Sequence, residues 1–206
     1  MPASDQLEAT GERLARTQSR GRVIFRETPL KGAFTIDPEP MEDDRGFFAR
    51  VWCQREFEAY GLEPRIAQCS IVSSTRAGTL RGMHYQVFPH QEVKLVQCIR
   101  GAAFDVIIDL RPDSPTFTRS FSVVLSSLNR RMLYIPRGFA QGNQTLEDDT
   151  ELMYQMSEFY EPSAGRGVRW DDPAFGIQWP DVDHRVMADR DRHYPDFARA
   201  SFGLAG

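Results

Sequence analysis

The sequence predicts an all-β fold, a jelly-roll barrel of two antiparallel sheets with a few short helices at its periphery. The first indication is a succession of short segments, from Arg22 onward, in which apolar and polar residues alternate. The second is that Gly, Pro, Asn and Asp, which favour turns, separate these segments. Two packed sheets of such strands can enclose one small ligand.

The clearest strand covers residues 102–110 and ends at the turn sequence Arg-Pro-Asp-Ser-Pro. Its alternation places Phe104, Val106, Ile108 and Leu110 on one face, and Ala103, Asp105, Ile107 and Asp109 on the other. The other predicted strands are 22–27, 46–52, 66–74, 79–85, 92–99, 118–125, 131–135 and 150–157. A short helix is predicted over residues 54–60, ended by Gly61, and residues 136–141 are interpreted as a turn.

The predicted organisation is a polar N-terminal extension, residues 1–21, followed by a single domain, residues 22–206. A chain of 206 residues is long enough for one domain with a sizeable core. The tail from residue 181 is polar and aromatic, and one short helix is expected in it.

Composition excludes several classes of function. A net charge of −4 gives no electrostatic reason to bind nucleic acid or an anionic membrane. No apolar run approaches the ~18 residues that span a bilayer, and the N-terminus has no signal-peptide pattern. Cys53, Cys69 and Cys98 are too widely spaced for a disulfide framework. A cytoplasmic location is therefore expected.

The segment of residues 78–86 places His84 inside a predicted strand, on the same face as Gly82 and Gln86. Lys94 lies between apolar residues of the next strand. A base beside a fixed positive charge is suited to removing a proton from carbon next to a carbonyl. Two alternatives stay open: a structural role for His84, and an edge-strand role for Lys94 that discourages aggregation.

Neither a metal nor another cofactor is expected. The other histidines, His90, His184 and His193, are scattered, and no second histidine lies within two residues of His84. Dinucleotide-binding glycine motifs, P-loops and serine nucleophile elbows are absent from the sequence. Arg45 and Arg81 have the forked guanidinium that suits a diphosphate, but sequence spacing alone does not bring them together.

Several long motifs carry a resemblance to a known family. They are Asp44-Arg-Gly-Phe-Phe48, Gln68-Cys-Ser-Ile-Val-Ser73, Leu80-Arg-Gly-Met-His-Tyr-Gln86, Lys94-Leu-Val96, Asp105-Val-Ile-Ile-Asp-Leu-Arg111, Ser114-Pro-Thr-Phe117, Ile135-Pro-Arg-Gly-Phe-Ala140, and Trp170-Asp-Asp-Pro173 followed by Trp179-Pro180. From about Val23 to Phe197 the chain resembles the dTDP-4-dehydrorhamnose 3,5-epimerase (RmlC-like) family of the cupin superfamily.

The resemblance implies a cofactor-independent enzyme that deprotonates a dTDP-linked 4-keto-6-deoxyhexose at C3 and C5. His84 matches the base, Asp191 its dyad partner, Tyr154 the proton donor on the opposite face, and Lys94 the lysine beside the enolate oxygen. It also implies a homodimer in which strands of one subunit pack on the other. The positions expected to contact the substrate are Arg45, Phe48, Gln68, Arg81, Gln86 and Gln141.

The chain departs from the family pattern at Gln141 and Asn143, where the family usually has histidine and phenylalanine. Glutamine can form hydrogen bonds, but it does not titrate near neutral pH. The number of inverted centres and the accepted sugar are therefore open. The alternatives are a 3,4-ketoisomerase of the same substrate class and a non-catalytic cupin that binds sugar nucleotides.

Overall fold

The computed structural model describes residues 21–198, so most of the predicted extension, residues 1–21, lies outside the described residues. Within these residues almost all regular structure is extended, and the helices are α1 (Gln54–Ala59) and α2 (Asp189–Arg192). The strands are β1 (Val23–Glu27), β2 (Phe34–Pro38), β3 (Met41–Asp43), β4 (Gly46–Phe48), β5 (Gln68–Ser74), β6 (Leu80–Gln86), β7 (Lys94–Arg100), β8 (Ala102–Asp109), β9 (Ser120–Ser126), β10 (Met132–Ile135), β11 (Phe139–Thr145), β12 (Thr150–Met156) and β13 (Gly165–Gly167).

Two antiparallel sheets face one another. One has six strands in the order β1-β2-β10-β7-β12-β5, and the other has five in the order β13-β6-β11-β8-β9. The strands β3 and β4 form a separate hairpin. The predicted all-β architecture of two antiparallel sheets with short peripheral helices is therefore confirmed.

Most predicted strands are present, but four strands were missed and one was predicted too long. The strand β4 ends at Phe48, whereas the prediction extended it to residue 52. The missed strands are β2, β3, β11 and β13. The interpretation of residues 136–141 as a turn is wrong from Phe139 onward, because β11 carries polar residues that pair with both β6 and β8 inside the sheet. Because the segment is polar, its sequence did not predict a strand, although every residue of β11 is buried.

The main core lies between the sheets, on the inward faces of their strands. It contains buried side chains from both sheets, among them Val96, Ile107, Leu125, Leu133 and Leu152. Burying one such side chain fully contributes about 1.5–3 kcal/mol. The face of β8 that carries Ala103, Asp105 and Ile107 is the inward one.

Two further clusters cover the outer faces of the sheets. Phe57 of α1 packs with Ile36 and Met132 on the six-stranded sheet. On the five-stranded sheet, Met83 and Phe175 belong to a cluster completed by the chain after β13. Both sheets are thus covered on two sides, which explains why β8 reads as an almost continuous apolar segment.

The turn after β8 depends on one buried carboxylate. Asp109 accepts hydrogen bonds from Arg111 Nε (2.9 Å) and Nη2 (2.7 Å), Ser114 Oγ (2.5 Å) and Thr116 Oγ1 (2.6 Å). Its own side chain is inaccessible to solvent. These bonds satisfy the buried charge and stabilise the turn.

The strands β6 and β11 approach each other closely at Gly82 and Gly142. A Cβ on Gly82 would lie 2.4 Å from Gly142 Cα, and Gly82 has a φ of +128°. The register pairs His84 with Gln141 on one side of this point and Arg81 with Asn143 on the other. The close approach therefore sets the position of His84 relative to β11.

The C-terminal segment is attached to the beginning of β6. Val186 forms a parallel bridge with Thr79, its carbonyl accepts the Leu80 N–H (2.8 Å), and its N–H donates to the Gly78 carbonyl (3.1 Å). The helix α2 follows this anchor and agrees with the short helix expected in the tail. Within the described part of the chain, no helix has the length and apolar character required to cross a bilayer.

The variant Gly82→Ala should lower the free energy of unfolding by about 3 kcal/mol or more, since it combines an unfavourable φ with a backbone clash. Gly61→Ala is the matched control, because Gly61 also has a positive φ (+68°) but has no atom within 4 Å of the added Cβ. The control should lose only about 1–2 kcal/mol. Denaturant unfolding compares the two, and equal losses would contradict the close-approach argument.

Candidate active site

The predicted catalytic residues meet inside the barrel, where five neighbouring strands each contribute an inward-facing polar side chain. They are His84 on β6, Lys94 on β7, Asp105 on β8, Gln141 on β11 and Tyr154 on β12. This cluster continues the apolar core between the sheets, since Tyr154 packs against that core. Alternation along each strand explains why residues far apart in sequence point to one region.

His84 and Asp191 form a dyad. The distance from His84 Nε2 to Asp191 Oδ1 is 2.8 Å, and the Gly82 N–H donates to Asp191 Oδ2 (3.2 Å). The Asp191 side chain is 4% exposed and that of His84 is 33% exposed. Burial alone would raise the pKa of Asp191, but the hydrogen bonds and charge of its neighbours hold this pKa below its usual range. Asp191 is therefore an ionised partner that orients the imidazole.

Lys94 is a buried cation with a counter-charge. Its Nζ lies 3.0 Å from Glu92 Oε1 and donates to the His84 carbonyl at 3.3 Å. An ammonium has three N–H groups, so one remains for another acceptor. Glu92 thus supplies the partner that a lysine requires inside the barrel.

Tyr154 lies in a polar network with two residues of β11. Asn143 Nδ2 donates to the Tyr154 hydroxyl oxygen at 2.9 Å, and Gln141 also contacts this hydroxyl. Burial, reinforced by the nearby Asp105 carboxyl, raises the pKa of Tyr154. The phenol is therefore neutral at physiological pH and keeps a proton that it can donate.

Asp105 lies beneath this network and is completely buried. Its Oδ2 accepts one hydrogen bond, from Gln141 Nε2 at 2.8 Å. Its Oδ1 has no hydrogen-bond partner among residues 21–198. Burial raises the pKa of Asp105 to about 8, against smaller opposing effects of Gln141 and Lys94. Asp105 is thus mostly protonated at neutral pH.

Gln68 and Gln86 lie at the start of β5 and the end of β6, and both hold the loop after β12. Gln68 Oε1 accepts the Tyr160 N–H at 3.0 Å. Gln86 Nε2 donates to the Phe159 carbonyl (3.1 Å), and its Oε1 accepts the Glu161 N–H (2.6 Å). The amides of these two expected substrate contacts are engaged by backbone groups of the loop.

Arg81, another expected substrate contact, lies on β6 with an exposed side chain. Its Nε donates to Ser74 Oγ and its Nη2 to the Ser73 carbonyl, both at 3.3 Å. Its positive charge acts on Tyr154. These contacts place a cation beside the catalytic cluster.

The hairpin of β3 and β4 carries Arg45 and Phe48 on the outside of the barrel. Arg45 forms its hydrogen bonds with Asp43 and has an 89% exposed side chain. The hairpin contacts Arg130, which precedes β10, whereas Lys94 pairs with the opposite end of β10. Within residues 21–198, the structure does not bring these two expected substrate contacts to the dyad of the same chain.

Asp105, Asn143 and Tyr194 were not predicted as site residues. The Tyr194 ring lies against Gly167, which has no side chain to displace it, and its centroid is 6.3 Å from that of His84. For Asp105 a signal existed, since it is an acid between Ala103 and Ile107 on the inward face of an apolar strand, with no turn residue beside it. Nothing in the sequence pattern indicated Tyr194, which reaches the site through the path of the C-terminal segment.

The described side chains offer no group suited to a metal ion. Among residues 21–198, no three His, Cys, Asp or Glu side chains are placed to hold a metal ion. Of the other histidines, His193 contacts the Asp189 carbonyl through Nδ1 (2.7 Å).

The chain is similar to known sugar-nucleotide epimerases over most of its length. The family model described as dTDP-4-dehydrorhamnose 3,5-epimerase matches residues 27–199. The dTDP-4-dehydrorhamnose 3,5-epimerase of Shigella flexneri is 38% identical over 177 residues, which cover 85% of this chain and 97% of that protein.

Solved structures give the same result. The crystal structure of a Bacillus anthracis dTDP-4-dehydrorhamnose 3,5-epimerase with TDP and PPi bound has a TM-score of 0.82 and 38% identity, covering 85% of this chain and 100% of that one. ChmJ, a 3'-monoepimerase from Streptomyces bikiniensis in complex with dTDP-quinovose, has a TM-score of 0.79 and 34% identity, with coverage of 87% and 91%.

The variant Asp105→Asn should stabilise the protein increasingly from about pH 4 to pH 8. In this window the unfolded state ionises Asp105 while the folded state keeps it protonated, because the folded pKa is raised to about 8. Wild-type stability therefore falls as the pH rises, by a total on the order of a few kcal/mol, and the amide removes this loss. Denaturant unfolding as a function of pH measures the difference.

Asp109→Asn on the same strand is the control, with the opposite trend. Burial opposes ionisation of Asp109, but Arg111, Ser114 and Thr116 hold its pKa below the usual value. Its stabilisation is present above the unfolded pKa and is lost as the pH falls, so this variant should be most damaging at neutral pH. Parallel pH trends for the two variants would contradict a protonated Asp105.

Proposed function

The chain belongs to the dTDP-4-dehydrorhamnose 3,5-epimerase family and is an epimerase, and from this premise we propose that it inverts C3, C5 or both in a dTDP-linked 4-keto-6-deoxyhexose. The observation that carries the proposal is the convergence of a histidine–aspartate dyad, a lysine and a neutral tyrosine in one barrel interior. A base, an oxyanion stabiliser and a proton donor are the groups that this reaction requires.

His84 is the base in this proposal, and its reactive atom is Nδ1. Asp191 occupies Nε2 at 2.8 Å, so the Nε2–H donates to the carboxylate and Nδ1 keeps its lone pair. Nδ1 takes the proton from the carbon next to the C4 ketone. The buried carboxylate stabilises the imidazolium that results.

Lys94 and Tyr154 supply the other two functions. The electron pair of the broken C–H bond moves to the C4 oxygen, and the free N–H of the Lys94 ammonium donates to that oxygen. Removing such a donor typically costs ~10²–10³ in rate. Tyr154 then protonates the carbon from the face opposite His84, which inverts it. Solvent returns a proton to the phenolate and takes one from the imidazolium.

The nucleotide end of the substrate is proposed to lie towards Arg81 and Gln68. Arg81 is an exposed guanidinium next to the catalytic cluster, and its fork can bind phosphate oxygens. Gln68 lies at the rim of the neighbouring sheet. The Bacillus anthracis relative holds TDP and PPi, which is consistent with a nucleoside diphosphate ligand.

Arg45 and Phe48 are proposed to act in the site of a second subunit. Both are exposed on a hairpin that lies away from Lys94 of its own chain. Sharing them across a homodimer makes them available for a partner's substrate, in line with the dimer that the family resemblance implies. The predicted cytoplasmic location and the single domain over residues 22–206 remain predictions.

The number of inverted carbons depends on the wall formed by Gln141 and Asn143. Both side chains contact Tyr154, the proposed donor. Neither carries charge, so the wall orients the phenol without supplying a second base. One structural relative is named as a 3'-monoepimerase, so single inversion is a property found within this fold.

The variant His84→Ala should abolish incorporation of solvent deuterium into the sugar while retaining dTDP binding. Loss of a general base typically costs ~10²–10⁴ in rate. NMR of the 4-keto substrate in D₂O resolves exchange at C3 from exchange at C5, and calorimetry measures nucleotide binding. The exposed His184→Ala is the control and should exchange like the wild type.

Three results would count against this proposal. Wild-type exchange that persists in the His84 variant would show that another group is the base. A product with the carbonyl moved to C3 would indicate the 3,4-ketoisomerase, and nucleotide binding without exchange in the wild type would indicate the non-catalytic cupin.

The variant Arg45→Ala should raise KM about tenfold or more through loss of a charged phosphate contact. Mixed dimers of Arg45→Ala and His84→Ala subunits should regain activity, because one of their two sites then has both residues intact. Arg55→Ala, on the exposed face of α1, is the matched control and should leave KM unchanged. Absence of recovery in doubly tagged, purified mixed dimers would exclude the shared site.

A further inference from the structure

The buried carboxyl of Asp105 has no part in the proton transfers described above, although it lies beneath the residues that perform them. It is 0% exposed, and its Oδ1 has no hydrogen-bond partner among residues 21–198. A buried acid with a single amide partner is unfavourable for folding. Such a group in the wall of an active site indicates a functional role.

Asp105 is too deep to contact the substrate, so any role must be indirect. Its one hydrogen bond is to Gln141 Nε2 at 2.8 Å. Gln141 contacts the hydroxyl of Tyr154, and the phenol oxygen also accepts a hydrogen bond from Asn143 at 2.9 Å. The path from Asp105 to the reacting proton therefore passes through Gln141.

The hydrogen bond to Asp105 determines which end of the Gln141 amide faces Tyr154. Nε2 carries two N–H groups, so with one donated to Asp105 the other is available to the phenol oxygen, and the hydrogen bond with Gln141 lowers the pKa of Tyr154 as such a donor does. Asn143 Nδ2 donates to the same oxygen. With two N–H donors on the phenol oxygen, the hydroxyl proton is directed away from β11 and can move to the sugar.

We propose that Asp105 is a positioning residue that holds the Gln141 amide so that Tyr154 presents its hydroxyl proton to the substrate. This inference rests on the proposed epimerase function. It assigns a task to the pair of Asp105 and Gln141, in a position where glutamine cannot itself supply a proton.

The charges around Asp105 leave it as a neutral acid. Lys94 is the nearest cation, but its ammonium is paired with Glu92 at 3.0 Å. The strands β9 and β11 carry no titratable side chain. The other packed strands carry Arg81 and His84 on β6, Lys94 and Cys98 on β7, and Tyr154 on β12. Three more titratable groups on these strands do not face Asp105: Tyr85 packs in the outer cluster, Arg100 is exposed, and Glu151 alternates with Tyr154 to the other face of β12. Burial raises the pKa of Cys98 to about 11, so its thiol adds no charge.

Ionisation of Asp105 should therefore oppose the reaction. A carboxylate at this depth would place negative charge beside the site where the enolate forms, and it would strengthen the hold of Tyr154 on its proton. Since the pKa of Asp105 is about 8, this effect should appear above that pH.

The experiment compares Asp105→Ala with Asp105→Asn. Asp105→Ala should lower kcat on the order of 10²-fold with KM changed little, because the proton donor is misplaced while binding is kept. Asp105→Asn should recover most of kcat, since a neutral side chain of the same shape still accepts from Gln141. In wild type kcat/KM should fall above pH 8, and Asp105→Asn should move that fall to higher pH. Asp109→Asn should keep the wild-type profile.

A second readout is independent of activity. The side-chain ¹H–¹⁵N resonances of Gln141, identified with Gln141→Asn, should be slow to exchange and shift with a midpoint near pH 8 in wild type. The shift should vanish in Asp105→Asn, and the slow exchange should vanish in Asp105→Ala.

The outcomes separate the two proposals. An active wild type with equal kcat in both Asp105 variants, or with the same alkaline fall in Asp105→Asn, overturns the positioning role. If the wild type shows no deuterium exchange but its Gln141 resonances behave as expected, the epimerase function is overturned. The hydrogen bond by which Asp105 orients Gln141 is then still established. If the shift and the exchange rate of the Gln141 side-chain resonances are the same in wild type and in both Asp105 variants, the positioning role is overturned whatever the activity.

Discussion

The hydrogen bond between His84 Nε2 and Asp191 Oδ1 is the interaction on which the rest of the site depends. It requires the C-terminal segment to return to β6, where Val186 anchors it before α2 begins. It also requires the backbone of β6 to pack closely against that of β11, which is possible because Gly82 has no side chain. An imidazole with one defined free nitrogen, the proposed base, results from these two backbone arrangements.

Around this dyad, the barrel interior changes from an apolar core to a set of paired polar groups. The buried Lys94 lies beside the carboxylate of Glu92, whereas the buried Asp105 has only the Gln141 amide as a hydrogen-bond partner among residues 21–198. Burial beside an uncharged amide raises the pKa of Asp105 and leaves it protonated at neutral pH. The two strands β7 and β8 are neighbours in sequence, yet they place a cation and a neutral acid in the same enclosed space.

The alternation in residues 102–110 predicted β8 and its two faces correctly, because burial on both sides demanded an apolar segment. The same reasoning failed for β11, whose Gln141 and Asn143 look like turn residues. These residues are polar because they line the candidate site, not because they are exposed to solvent. The segment is a strand because it pairs with both β6 and β8. The motifs that contain His84 and Lys94 were informative for the same reason, because these residues line the site.

The sequence by itself determined the all-β architecture, since strand periodicity is a local property, and its motifs identified the family and with it the expected roles of His84, Lys94 and Asp191. Only the tertiary structure decided that Asp191 lies within 2.8 Å of His84, that Asp105 lies under Gln141, and that Arg45 points away from the dyad of its own chain. The physical reason is that burial, and with it the protonation of an acid, depends on which distant strands surround a residue. Two aspartates on β8 show this: Asp109 is ionised by its arginine, and Asp105 keeps its proton.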